Sequence, residues 1–274
     1  MRQGEEALDA RESALVSVIG EASELARRFF ADPASFPASL KGPQDFITAA
    51  DSALENLIVE RLKKRFPDDA FLGEEGGATG KGDSVWIIDP IDGTANFARG
   101  LPHFCISIAF MSEGELELGA IVAPAYGEHY FARRGRGAKK NGGPMQVSDA
   151  GDIRHAVIEL GWSSRRPTRA YTQMLERVLD TGATFLRAGS GALGLAYVAD
   201  GRTQGYCELH INSWDCAAGI LLVTEAGGWC NDFFAGDGLR RGNAILACGP
   251  ALKDQLIAAT GVGAAEAKRE RRVS

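Results

Sequence analysis

Apolar residues in the first 65 positions recur at the spacing of a helix face. Leu15, Val18, Ile19, Ala22, Ala26 and Phe29 predict a long amphipathic helix over residues 5–31, with Pro33 and Pro37 following its end. Leu54, Leu57, Ile58 and Leu62 predict a second helix over 51–65. Its start carries two S/T-x-x-D/E signatures, Thr48 with Asp51 and Ser52 with Glu55, and Pro67 closes it. Between residues 103 and 147 the pattern changes to short apolar runs punctuated by glycine, at 105–111, 115–122 and 128–132, which read as antiparallel strands joined by hairpins. From about residue 150, strand-like runs at 156–160, 184–188 and 205–208 alternate with helical ones at 168–179, 192–199 and 215–226. The pattern therefore predicts an α+β half over 1–148 and an α/β half over 149–263, followed by a charged tail at 264–274 that is expected to be disordered.

One apolar run ends abruptly in acids. Val85–Ile88 reads as a strand buried on both faces, and Pro90 cannot continue its ladder, so Asp89 and Asp92 are expected where the strand stops. The turn stiffened by Pro90 lets both carboxylates and the Ile91 carbonyl converge on one point, an all-oxygen set suited to Mg²⁺. Gly93-Thr94-Ala95 can then open a helix whose free N–H groups face an anion. Taken alone, D-P-x-D-G is a solvated turn. Four further acidic positions bear on the choice: Glu74 and Glu75 on a turn leaving the Phe71-Leu72 strand, Asp215 in the first turn of an apolar helix, and Asp51. Each has an ordinary reading as well, a solvated loop for Glu74 and Glu75 and a helix cap for Asp51 and Asp215.

Length and composition narrow the class. The 274 residues suffice for one large domain or two smaller ones, and 45% apolar with 24% charged residues is ordinary for a soluble globular protein. A net charge of −6 offers no general field for nucleic acid, and the one basic cluster, Arg133-Arg134-Gly135-Arg136 with Lys139-Lys140, reads as a solvated hairpin. No leader and no apolar run near the roughly 18 residues of a membrane span is visible. The five cysteines are odd in number and lack a C-x-x-C pair, so they are expected to be reduced and buried, and the protein cytoplasmic.

A competing motif lies further on. Gly189-Ser190-Gly191-Ala192-Leu193-Gly194 matches G-x-G-x-x-G between a predicted strand and helix, with Glu208 19 residues after the first glycine, as in a dinucleotide-binding oxidoreductase. It comes too late in the chain to leave length for a full nucleotide-binding sheet, and it leaves the upstream acids unexplained.

The acids are explained jointly by a resemblance. Lys41 to Asp51 (K-G-P-Q-D-F-I-T-A-A-D), Gly73-Glu74-Glu75, Trp86 to Phe97 and Trp214-Asp215-Cys-Ala-Ala-Gly219 resemble, in order, the motifs of the inositol monophosphatase family, over about residues 8–250. The resemblance implies a layered αβαβα sandwich, with an antiparallel sheet in the first half and a mixed sheet in the second. It also implies Mg²⁺-dependent hydrolysis of a phosphate monoester by activated water, most readily myo-inositol monophosphate. Sister branches of the superfamily act on fructose 1,6-bisphosphate, 3′-phosphonucleotides or histidinol phosphate. Carried over by residue, Glu74, Asp89 and the Ile91 carbonyl hold a first Mg²⁺ and Asp89, Asp92 and Asp215 a second, with a third held through Glu74. Glu74 and Thr94, oriented by Asp51, aim the water. Gly93, Thr94 and Ala95 hold phosphoryl oxygens, and Gly189, Ser190, Gly191 and Glu208 line the polyol pocket. A homodimer and lithium sensitivity are implied by the resemblance alone. A non-catalytic interaction role, if any, would use the basic hairpin.

Overall fold

The computed structural model describes residues 2–32, 39–42, 45–47 and 49–264, and side chains from 4–32 and 49–264. Pro33, Pro37, Thr48 and the tail beyond 264 lie outside the described residues, as do the side chains of Lys41 and Asp45. The chain opens with α1 (Arg2–Ala31), a short hairpin of β1 (Ser39–Gly42) and β2 (Asp45–Ile47), and α2 (Ala49–Arg65). Next come β3 (Ala70–Gly73), β4 (Gly77–Thr79), β5 (Ser84–Asp92), the single turn α3 (Thr94–Phe97), and a meander of β6 (Cys105–Ser112), β7 (Glu115–Ala123), β8 (Glu128–Arg133), β9 (Ala138–Lys140) and β10 (Gly143–Pro144). The second half runs β11 (Val157–Leu160), α4 (Thr168–Asp180), β12 (Thr184–Leu186), α5 (Gly191–Ala199), β13 (Gly205–Ile211), α6 (Ser213–Glu225), β14 (Trp229–Cys230), α7 (Gly238–Arg241), β15 (Asn243–Cys248) and α8 (Lys253–Thr260).

Two sheets alternate with three helical layers. Eight strands in the order β10-β9-β8-β7-β6-β5-β3-β4 form the first sheet, and five in the order β12-β11-β13-β15-β14 form the second. The period of two in the strands decides which layer each residue meets. On β6, Ile106, Ile108 and Phe110 pack with Leu15, Val18, Leu54 and Ile58 of α1 and α2, whereas Cys105, Ala109 and Met111 face α5 and α6. Covered on both faces, these strands carry no polar alternation. The same reasoning explains α6, whose Cys216 to Val223 are all buried between the sheets. Its approach to the first sheet is close: a Cβ on Gly119 of β7 would come within 3.0 Å of the Ala218 carbonyl. On the far side of the second sheet, Ile158, Leu160, Cys207 and Leu246 pack with Met174 and Val178 of α4 and Leu256 of α8. This is the αβαβα order that the resemblance implies.

Three local expectations are corrected. The strand carrying the acids does not stop at Ile88; β5 runs to Asp92, and its pairing with β6 is irregular between Asp89 and Asp92, where Pro90 sits. Loss of the proline N–H is absorbed as a bulge instead of ending the strand. The first sheet is not wholly antiparallel, because β3 pairs parallel to β5. Ser52 and Glu55 do not open a helix: α2 starts at Ala49, which puts both inside it, and the buried Glu55 carboxylate accepts from the amides of Glu75 (2.9 Å) and Gly76 (2.6 Å). All five cysteines are free thiols; four are buried and Cys230 is half-buried. Among the described residues no helix is long and apolar enough to cross a membrane.

Candidate active site

The bulge in β5 gathers the acids. One carboxylate oxygen each from Asp89, Asp92 and Asp215 lies within 4.8 Å of the others, although the third comes from the start of α6, more than 120 residues later in the chain. Asp89 Oδ1 accepts from the Ile91 amide at 3.0 Å, a contact the bulge makes possible. Asp92 is tied to the N-terminus of α5: its Oδ2 accepts from Ser190 Oγ (2.5 Å) and the Ala192 amide (2.6 Å), and its Oδ1 from the Gly191 amide (3.3 Å). Asp215 does two jobs at once. Its Oδ2 accepts from the Asn212 amide at 3.0 Å, as a helix cap does, while the carboxylate faces the cluster. The same carboxylate thus caps α6 and stands in the cluster with Asp89 and Asp92.

The electrostatics suit a cation. Burial, then the charges of Glu74, Asp92 and Asp215, pushes the Asp89 carboxyl well above its usual range. Burial and then Asp215 raise Asp92 to about 7, and burial raises Asp215. Asp89 and Asp92, whose carboxyls are raised by burial and then by neighbouring acids, belong to a set whose charges are relieved by protons or by a metal ion. Buried oxygens alone, without cysteine or histidine, fit a hard divalent ion such as Mg²⁺.

The partners named for catalysis are adjacent. Glu74, on the turn that Glu55 pins, lines the same cavity as Ala95, Asn96, Glu208 and Asp215. Thr94 Oγ1 lies 2.9 Å from the Ile91 carbonyl and 3.2 Å from Asp51 Oδ1, a carboxylate wholly buried in the first turn of α2. Gly93 has φ +95°, and a Cβ there would come within 3.0 Å of the His103 carbonyl, so only glycine turns the chain from β5 into α3. With only Thr94 to Phe97 in it, α3 is a single turn, so the N–H groups of Gly93, Thr94 and Ala95 act individually and not through a helix dipole.

Above the acids, a cavity of about 840 Å³ is lined by residues from both halves of the chain, and a smaller one of about 150 Å³ adjoins it. Gly189, Ser190 and Gly191 line the smaller cavity with Glu208, whose carboxylate accepts from Tyr206 Oη at 2.7 Å and is raised to about 8, chiefly by burial. The glycine-rich segment does not cradle a dinucleotide. Its amides are occupied by Asp92, and a Cβ on Gly194 would lie 2.5 Å from the Tyr206 ring, which makes that glycine a packing requirement.

Asn96 lies inside the Trp86 to Phe97 motif, whereas several other residues of the site carried no signal in the sequence. Asn96 Nδ2 donates to the carbonyls of His103 (2.7 Å) and Ala188 (2.9 Å), and Glu159 Oε1 accepts from the Ala188 amide (3.3 Å), so the Ala188 peptides are fixed from both halves of the chain. Arg165, Arg187, Trp162 and Tyr171 line the large cavity from the second half. All lie in loops or at element ends that periodicity does not mark.

Fold and site together define a layered phosphatase-type α/β protein with a buried carboxylate cluster between its two sheets. The chain belongs to the inositol monophosphatase family, which it matches over residues 7–268. It is 42% identical over 221 residues, 79% of this chain and 83% of the relative, to the Nus factor SuhB of Haemophilus influenzae. It is 36% identical to that of Escherichia coli K12 over 87% of this chain and 91% of the relative. Among solved structures, the extragenic suppressor protein suhB of Bartonella henselae superposes with a TM-score of 0.86 at 35% identity, covering 93% of this chain and 99% of that one. The IMPase of Thermotoga maritima does so with 0.81 at 32% identity, over 93% and 98%.

Proposed function

We propose that this protein hydrolyses a phosphate monoester, myo-inositol monophosphate first among candidates, using two to three Mg²⁺ ions held on the acidic floor. The observation that carries this reading is the convergence of Asp89, Asp92 and Asp215 in a buried cluster that Glu74 faces. Glu74, Asp89 and the Ile91 carbonyl would hold one ion, Asp89, Asp92 and Asp215 a second, and Glu74 a third through water. Such ions supply a nucleophilic water at neutral pH and offset charge on the attacking and leaving oxygens.

The chain's own groups do the rest. Asp51 accepts from Thr94 Oγ1 and so fixes the hydroxyl that, with Glu74, orients the attacking water. The amides of Gly93, Thr94 and Ala95 hold phosphoryl oxygens, where preorganised donors act most strongly. Glu208, held by Tyr206, accepts from hydroxyls of the leaving polyol, with Gly189, Ser190 and Gly191 beside it. Family membership also brings a homodimer, lithium sensitivity and a cytoplasmic location into this proposal.

The SuhB relatives carry the name Nus factor, which raises a transcription-related role. The basic hairpin, the place a non-catalytic interaction role would use, does not favour it. Arg133, Arg134, Arg136 and Lys140 each face a carboxylate of this chain, and Arg133 is buried and not solvated.

The test is phosphate release from myo-inositol 1-phosphate, histidinol phosphate, fructose 1,6-bisphosphate and a 3′-phosphonucleotide across a Mg²⁺ titration. Mg²⁺-dependent preference for the inositol ester supports the reading in full. Preference for another ester keeps the chemistry and moves the substrate, and no turnover of any ester refutes it.

A further inference from the structure

Two stretches of backbone from opposite halves of the chain meet at the site. One is the corner at 92–96, where β5 turns into α3 and the amides of residues 93–95 lie. The other is the segment 188–192, which enters α5 and whose Gly189, Ser190 and Gly191 line the smaller cavity. They close on each other through glycines. Gly93 (φ +95°) and Gly189 (φ +92°) both take a left-handed conformation that side chains disfavour. A Cβ on Gly93 would come within 3.3 Å of the Gly189 carbonyl, and one on Gly189 within 3.2 Å of Asn96 Nδ2.

The contact is fastened at two points. At its far end, Ser190 Oγ and the amides of Gly191 and Ala192 donate to Asp92. At its near end the fastening is Asn96, whose side-chain amide carries two N–H donors and reaches two carbonyls, Ala188 at 2.9 Å and His103 at 2.7 Å. Glu159, buried on β11, accepts from the Ala188 amide at 3.3 Å and so holds the segment from the second half of the chain. The two fastenings differ in kind. Asp92 is shared with the cation of the function proposed above, whereas Asn96 is uncharged and its hold on Ala188 does not depend on what Asp92 binds.

We infer that Asn96 is a positioning residue: it sets the distance between the turn that receives the phosphoryl group and the segment that receives the leaving alcohol, and so governs turnover of esters whose alcohol reaches that segment. This deepens the function proposed above and rests on it. Phosphoryl transfer needs the attacking and leaving oxygens roughly in line through phosphorus, and a misplacement of about 1 Å costs on the order of 10²-fold in rate. The amides of 93–95 fix the phosphorus, and Glu208 with the glycine segment fixes the alcohol. Asn96 and Ala188 are 92 positions apart in the chain, so the register of these two parts is set by contacts in space. A flat aryl alcohol without further hydroxyls offers Glu208 nothing to accept, and its ester tolerates a displaced segment.

The experiment compares Asn96→Ala and Asn96→Asp with the wild type in Mg²⁺, on the preferred ester of the four tested above and on 4-nitrophenyl phosphate. Asn96→Asp keeps the shape of the side chain but turns a carboxylate towards the two carbonyls, so it separates lost donors from lost volume. Both variants are expected to lower kcat on the preferred ester about tenfold or more, with KM changed less, and kcat on 4-nitrophenyl phosphate by less than about twofold. In EDTA, hydrogen exchange at the Gly191 and Ala192 amides should be about tenfold faster in both variants, with the amides of β6 unchanged. Equal losses on both esters, or faster exchange throughout the chain, would make the contact a general structural one and overturn the role while sparing the phosphatase reading. Full kcat on the preferred ester in both variants would also overturn it. Absence of turnover of every ester by the wild type would remove both.

Discussion

Like charges gather in two places in this molecule, and the two are built differently. In the hairpin at 133–140, Arg133 reaches Asp9 (2.5 Å) and Glu12 (2.7 Å), Arg134 reaches Glu115 (2.5 Å), Arg136 reaches Glu5 (2.6 Å) and Lys140 reaches Glu128 (2.9 Å). On the floor of the cleft, Asp89, Asp92 and Asp215 converge with Glu74 nearby, and their hydrogen bonds do not remove the mutual repulsion that lifts the Asp89 carboxyl. The first arrangement is complete within the chain and fastens α1 to the edge of the sheet. The second has no opposite charge from this chain among the groups that converge there and would be completed by a cation. Clustered charge in a sequence therefore says little until the opposite charges are located in space.

If that contrast holds, changing the floor alters activity and changing the hairpin alters stability. The largest effect is expected from Asp89→Asn, which should lower kcat on the preferred ester by on the order of 10³-fold in saturating Mg²⁺ while circular dichroism stays native. Asp89 is the cleaner choice over Asp92, which also holds the start of α5. Near-native turnover in Asp89→Asn would break the contrast. Next in size, Mg²⁺ at a hundred times its dissociation constant should stabilise the wild type by about 2.7 kcal/mol, read as a rise in Tm, and Asp89→Asn by much less.

Buried acids away from the floor sharpen the comparison through pH. Burial raises Glu159 from 4.5 to about 7, and its Oε2 has no hydrogen-bond partner. A raised carboxyl means that the folded state holds its proton more tightly than the unfolded state. The stability this contributes is complete below about pH 4.5 and is lost as pH rises towards 7. In EDTA, denaturant melts of Glu159→Gln should accordingly lose less stability between pH 5 and 8 than wild type, by on the order of 2 kcal/mol. Parallel pH profiles would contradict the assignment. The smallest effects belong to the hairpin. Arg133→Ala, at a buried guanidinium with two partners, should cost about 1–3 kcal/mol, and Arg134→Ala, at an exposed pair, less than about 1 kcal/mol. Neither should change kcat, and equal costs for the two would show that burial does not set the strength of these pairs.

The sequence made most of the fold legible because its periodicities are strong. The stripe from Leu15 to Phe29 and the runs at 105–111 and 115–122 each mark a single element, and the structure extends them by a few residues at most. Pro90 misled because a proline can be carried by a bulge as well as by a strand end. Asp89, Asp92 and Asp215 could be singled out because acids at an abrupt apolar boundary are conspicuous and the order of motifs is specific to one family. Glu159 could not, Glu55 is marked only as part of a helix start, and Asn96 only as part of the Trp86 to Phe97 motif, since each acts on a backbone group 7 to 92 positions away and a side chain's range across space leaves no local pattern. Arg133 and Arg165 show the same limit from the other side. Both sit in arginine pairs followed by glycine or proline, yet one is paired and the other faces a cavity.

The central claim, that the acidic floor is a divalent cation site, is tested most directly by anomalous diffraction from crystals soaked in Mn²⁺ as a Mg²⁺ substitute. The account predicts two strong peaks about 3.5–4 Å apart, with Asp89 between them and Asp92, Asp215, Glu74 and the Ile91 carbonyl around them. An empty floor at Mn²⁺ concentrations that support turnover, or ions bound only elsewhere, would contradict it.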